Sequence, residues 1–395
     1  MHRLVSLAAV ASVALVLLGC VRAPLLSGVE VRPSTISPNA DGHDDVARIT
    51  YRLSQRSTLS IYFTGEDGQR HYFRKDKRRS PGQYEALFGG VVGGSVLPDG
   101  TYTYTVEAVD LQGNVERIEG QIKVANSDTA LPELRNFTVF PTTFTPNQDG
   151  INDRVSISYY LAKRADVKVY LLDEKGKKYF IAEKEGSAEP GEPGLHQYDY
   201  DGGVDAGATP PPDGTYTVVA EAVDEIGSRV SAQASLTIVD GGVPRAEIVG
   251  ATAEFSPIVV PLGQTLTFTA TVANVGTVPI RTKGPPPGTT YTTRENFNVI
   301  GYYEEPGIFR IGVDFEGNSQ GRKYPYRWSL GSEEDLATLN GYKYLMPGQR
   351  VTVVGHIQII DAPPKVNPYY WVGLIHEQVR IVNDFVEPTQ ISIGF

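Results

Sequence analysis

The sequence predicts an all-β chain built as a tandem of β-sandwiches, and three observations carry that prediction. Its 395 residues hold 41 Gly, 27 Pro and 22 Tyr, a composition of short strands joined by tight turns. No long stretch places apolar residues at helical spacing, and the best helical candidate, Ser332 to Asn340, is short. Residues 36–63 return as residues 144–171 without a gap, with ten of the 28 pairs identical. A repeat of about a hundred residues with this many turns fits a seven-stranded sandwich rather than a solenoid.

The N-terminus sets the compartment. Met1-His2-Arg3 is a short basic start, and Leu4 to Leu18 is an almost unbroken apolar run. That run suits a signal-peptide hydrophobic region and falls short of the roughly 20 residues that span a bilayer. It ends in Leu17-Leu18-Gly19-Cys20, which resembles the lipobox of bacterial lipoproteins. The resemblance implies a signal peptide at 1–19, cleavage before Cys20, a diacylglyceryl thioether on Cys20, and a lipidated tether at 20–27. An ordinary cleaved signal with a coincidental Cys is the alternative. Cys20 is the one Cys of the sequence, so no intramolecular disulfide can form. Removing 1–19 takes away Arg3 and leaves 36 − 1 = 35 basic against 46 acidic residues, a net charge of −11. So acidic a chain is expected to avoid nucleic acid and anionic headgroups, leaving the lipid to hold the membrane.

Two motifs mark each copy. Pro38-Asn39-Ala40-Asp41-Gly42 and Asp45 return as Pro146-Asn147-Gln148-Asp149-Gly150 and Asp153. Pro98-Asp99-Gly100-Thr101-Tyr102 returns as Pro212-Asp213-Gly214-Thr215-Tyr216. Between them, Ile49, Tyr51 and Leu53 match Ile157, Tyr159 and Leu161, one face of a half-buried strand. The first motifs are offset by 108 residues and the second by 114; the six extra residues are expected in the loop 186–194. The ordered pair of motifs, with Phe88-Gly89-Gly90 and Tyr200-Asp201-Gly202 before the second, resembles the immunoglobulin-like domain of the flagellar hook-capping protein. The resemblance implies immunoglobulin-like sandwiches at 28–125 and 133–239. It carries over no role in flagellar assembly, because the rest of that protein is missing.

The Asp-rich loops are the candidate site. Asn39, Asp41 and Asp45, like Asn147, Asp149 and Asp153, fall on alternating positions of an EF-hand-style loop, where oxygens can face one calcium ion. Position 12 is Arg48 or Ser156, so the closing Glu is absent. The favoured reading is that Asn and Asp close Asx-turns at the strand entrance. No cofactor is expected other than calcium at these loops.

From Val243 the motifs stop, and Val243-Pro244 reads as a linker to a third domain, 243–395. Thr265 to Val272 alternates as a strand, Asn274-Val275-Gly276-Thr277 turns, and a later strand, Val351 to Ile360, follows Met346-Pro347-Gly348-Gln349. This order resembles bacterial adhesion-related, CARDB-like immunoglobulin domains over their outer strands. Between them 282–340 reads as an insertion rich in aromatics. Tyr302, Tyr303, Tyr324, Tyr326 and Trp328, with Tyr369, Tyr370 and Trp371, are candidates for a sugar platform or for core.

No His-x-x-x-His, no Gly-x-Ser-x-Gly and no phosphate-binding Gly-Lys-Ser/Thr occurs, and His376-Glu377 in a strand would face opposite ways. The chain is therefore expected not to be an enzyme. The function expected is that of a cell-surface lipoprotein, lipid-anchored on the extracytoplasmic face of a membrane and acting in protein binding, scaffolding or adhesion. The alternatives are a cell-wall polysaccharide binder and an accessory subunit of a hydrolase.

Overall fold

A computed structural model describes residues 23–184, 188–250, 252–362 and 364–394. The expected signal peptide and the anchor Cys20 lie outside them. The chain is all-β; the described residues contain one short 3₁₀ turn, Val204–Ala206, and no α-helix.

In the first copy, strands Leu26–Arg32, Ala47–Leu53 and Gly82–Phe88 form one sheet. Thr35–Ile36, Val115–Val124, Gly100–Asp110, Ser57–Thr64 and Arg70–Arg79 form the other, in that order. Ile49, Tyr51 and Leu53 turn inward together, at 0, 4 and 1 % exposure, as their alternation requires. Leu25 and Leu26 are buried in the same core, so pairing begins inside the expected tether 20–27.

The second copy repeats this topology with Leu134–Phe140, Val155–Leu161 and Gly194–Tyr200 facing a five-stranded sheet that ends on Lys178–Ile181. The extra residues are not all where the sequence placed them. Ala47 pairs with Phe88 and Val155 with Tyr200, so the offset has already grown from 108 to 112 there, leaving 114 − 112 = 2 residues for the next segment. In that segment the 3₁₀ turn replaces the first copy's hairpin Val91–Val92/Ser95–Val96.

The third core lies between Thr265–Asn274 paired with Arg350–Gln358 and a sheet ordered Tyr326–Ser329, Phe309–Phe315, Tyr369–His376, Arg380–Gln390. The segment 282–340 is therefore no insertion; two of its strands are half of that four-stranded sheet. Trp328 packs on Phe268 at 4.7 Å and Tyr291 at 5.0 Å, in space left by Gly355, whose Cβ would lie 2.5 Å from the indole. Ser332 to Asn340 is no helix: the Asp335 carboxylate accepts the Ser332 N–H and hydroxyl to close a turn, and Ala337–Leu339 pairs with Tyr342–Leu345.

Candidate functional site

The Asn/Asp loops use their oxygens on their own amides. Asp45 accepts the N–H of Asn39 (3.1 Å), Ala40 (2.8 Å) and Gly42 (2.8 Å), while Asn39 accepts that of Asp41 and Asp41 that of His43. Asp153 accepts those of Asn147, Asp149 and Gly150, with Asn147 and Asp149 closing the same two Asx-turns. A carboxylate ringed by N–H donors is a poor cation ligand, and no three His, Cys, Asp or Glu side chains of the described residues cluster as metal ligands do. The three residues named in each copy do come together, and their oxygens are turned to backbone N–H donors.

The other motifs meet the same loops. Pro38 lies against Gly90, and Pro146 against Gly202, where a Cβ would come within 2.9 and 3.1 Å of the ring. Tyr102 and Tyr216 donate to the carbonyls of Pro98 and Pro212. Asp99 accepts the N–H of Asn126 and Ser127, and Pro38 that of Asp128; Asp213 accepts those of Asp240 and Gly241, and Pro146 that of Gly242. Together the motifs clamp the chain as it leaves each sandwich.

In the second copy the Asp loop does more. Asp149 is 6 % exposed and accepts the Tyr344 hydroxyl at 2.7 Å. His376 Nε2 donates to the Gln148 carbonyl at 2.8 Å. Gly150 and Gly307 bring two backbones together so closely that a Cβ on Gly150 would lie 2.1 Å from the Pro306 oxygen. The second and third sandwiches thus share a seam. It separates two loops of one motif electrostatically. Slight burial raises the Asp45 carboxyl, but the amides of Asn39, Gly42 and Ala40 outweigh it and hold the group below the usual range. Burial, helped by the Asp149 carboxylate, pushes Asp153 up to about 6 against the same kind of bonds. Burial also lowers His376 to about 4, against the pull of the Gln148 carbonyl. The sequence could not separate these loops, because both carry one motif.

His376 ends its strand and stacks on Phe309, while Glu377 turns the other way, to Arg310 and Arg327; both are buried because both faces are covered. Glu377 receives Arg310 at 3.2 Å and Arg327 at 2.8 Å, with Phe297 beneath the Arg327 guanidinium at 4.3 Å. Arg310 also donates to the carbonyls of Lys283 and Tyr303, fixing one wall of a cleft of about 710 Å³. Lys283, Lys343, Glu305, Glu333, Tyr302 and Tyr342 line this cleft. Of the aromatics expected as platform or core, Tyr324, Tyr326, Trp328 and Tyr370 are core, Tyr303 and Tyr369 are exposed, and Trp371 rests on Phe385. The cleft residues Lys283, Lys343 and Tyr342 gave no sequence signal, since they lie up to 60 positions apart.

No family model matches the chain, and no curated protein does. Among solved structures, a tetra-tandem repeat from the extending region of a large adhesion protein is 15% identical, covering 88% of this chain and 70% of that one at a TM-score of 0.19. A Ca²⁺-stabilized adhesin with which an Antarctic bacterium binds ice is 12% identical, covering 86% and 74% at 0.22. A DUF4785 family protein from Legionella pneumophila is 11% identical, covering 88% and 82% at 0.23.

Proposed function

We propose that this chain is a lipid-anchored, non-catalytic binding module of the extracytoplasmic surface that displays its third sandwich to a partner protein or polysaccharide. In this reading the first two sandwiches are of the hook-capping immunoglobulin-like type and the third is CARDB-like. The observation that carries it is the division of labour among polar groups: the repeated motifs hold turns, exits and the seam, while the open chemistry lies in the cleft of the third sandwich. A cleft of this volume suits a small ligand or a chain segment. Tyr rings beside both ammonium and carboxylate groups favour a saccharide, whose C–H faces stack and whose hydroxyls donate and accept. Glycan arrays and immobilised envelope proteins should be probed with residues 20–395 carrying Cys20→Ala. Binding lost on Tyr302→Ala or Lys343→Ala, with folding intact, supports the reading; binding indifferent to both variants overturns it. Detergent partitioning tests the anchor separately, since Cys20→Ala should release or arrest the full-length protein.

A further inference from the structure

We propose that the N-terminal end of the first sandwich is a basic platform for the headgroups of anionic lipids. The orientation this gives the domain rests on the anchor reading, but the surface itself does not. The edge strand Arg70–Arg79 carries Arg70, Arg74, Lys75, Lys77, Arg78 and Arg79 within ten residues, in a chain of net charge −10. None of these six makes an ion pair among the described residues. The strand's one carboxylate, Asp76, is held by the Ser60 hydroxyl. The corresponding strand of the second copy is Lys178–Ile181, with a single Lys, so the charge is no property of the repeat.

The pairing shows where this charge lies. Arg79 pairs with Ser57, and Leu53 pairs with both Leu26 and Gly82, so the basic strand runs out at the end where the chain begins its first strand. Ala23, Pro24, Arg52 and Pro81 line one hollow there. Exposed Arg52 and Arg56 add to Lys77, Arg78 and Arg79 at this end. Glu116 at the same end accepts the Leu26 N–H, and Asp110 accepts Gln55 and Asn114. Leu26 lies six positions after Cys20, a reach of at most about 20 Å. A lipid on Cys20 would hold this end against the bilayer. Further along the strand, Tyr72 is 37 % exposed with the Lys75 ammonium 5.1 Å over its ring, an aromatic and cation pairing suited to the headgroup layer. The expectation that an acidic chain avoids anionic headgroups rests on net charge, which this basic strand does not share.

Each cation close to an anionic leaflet adds about fivefold to partitioning. Residues 20–395 with Cys20→Ala, which keep every described residue, should bind vesicles of equimolar phosphatidylglycerol and phosphatidylcholine and ignore pure phosphatidylcholine. Raising the salt should weaken that binding. Arg56→Gln, Lys77→Gln and Arg78→Gln together should lower it about a hundredfold without changing the melting temperature. The same charge change at Lys175, Lys177 and Lys178 of the second copy should leave it within about twofold. Equal loss from the two triple variants, equal binding to both vesicles, or binding to soluble anionic polysaccharide but to neither vesicle would overturn the proposal. None of these outcomes bears on whether Cys20 is lipidated or on the cleft.

Discussion

Gly42 and Gly150 are the same residue of one repeated loop, and replacing each by Ala should separate what the turn needs from what the seam needs. Both have positive φ, +84° and +81°. An alanine in this left-handed region costs about 1–2 kcal/mol. Around Gly42 nothing lies within 4 Å of the new methyl, so that strain is the whole effect. At Gly150 the methyl would stand 2.1 Å from the Pro306 oxygen and 2.8 Å from its carbonyl carbon, both backbone atoms that cannot step aside alone. The seam must open, adding about 1–3 kcal/mol of overpacking. The Tyr344–Asp149 and His376–Gln148 bonds are then at risk, at about 1 kcal/mol each. Gly150→Ala should therefore cost about 3–5 kcal/mol against about 1–2 for Gly42→Ala. Scanning calorimetry should show the second and third sandwiches melting together in the parent and apart in Gly150→Ala, with new trypsin cleavage near Arg245. Equal losses in the two variants, or a Gly150→Ala chain that keeps joint melting, would refute a seam made by this approach of backbones.

Three further outcomes follow from the same contacts. His376 titrates near 4 folded against 6.5 unfolded, so its stability contribution is lost as pH falls through that window; Asp153 titrates near 6 folded against 3.8 unfolded, so its contribution is gained as pH falls from 6 to 3.8. Each amounts to about 3 kcal/mol at most, and they oppose. His376→Gln should therefore gain up to about 3 kcal/mol over the parent between pH 7 and pH 4 in denaturant titrations, and parallel curves would count against it. Glu377→Gln leaves Arg310 and Arg327 without their shared buried charge and should cost about 3–5 kcal/mol in urea unfolding. Asp45→Ala removes the acceptor of three amides and should lower stability by about 1 kcal/mol, while the parent should melt identically in calcium and in chelator; a chelator-sensitive melt abolished by Asp45→Ala would return these loops to metal binding.

What could be read beforehand followed local chemistry. The alternation of Ile49, Tyr51 and Leu53, the Asx-turns and the repeat each rest on residues within a few positions of one another, where side-chain period and turn preference act directly. The third sandwich was harder. Phe309–Phe315 is buried on both faces and shows no alternation, so its strand looked like part of an aromatic insertion. The seam was invisible for a different reason: Asp149 meets Tyr344 across 195 positions, and nothing near Asp149 distinguishes it from exposed Asp41. The basic edge strand was in plain view, but summing charge over the whole chain cancelled it.

The exit clamp has a consequence for how such a chain can grow. Each copy carries, within its own hundred residues, both the residue that seizes its departing strand end and the carbonyl that receives it: Asp99 with Pro38, Asp213 with Pro146. The exit clamp of each copy needs no residue from its successor. Gene duplication could therefore add another copy after the first, and the chain would lengthen by whole modules while the terminal sandwich stayed unaltered.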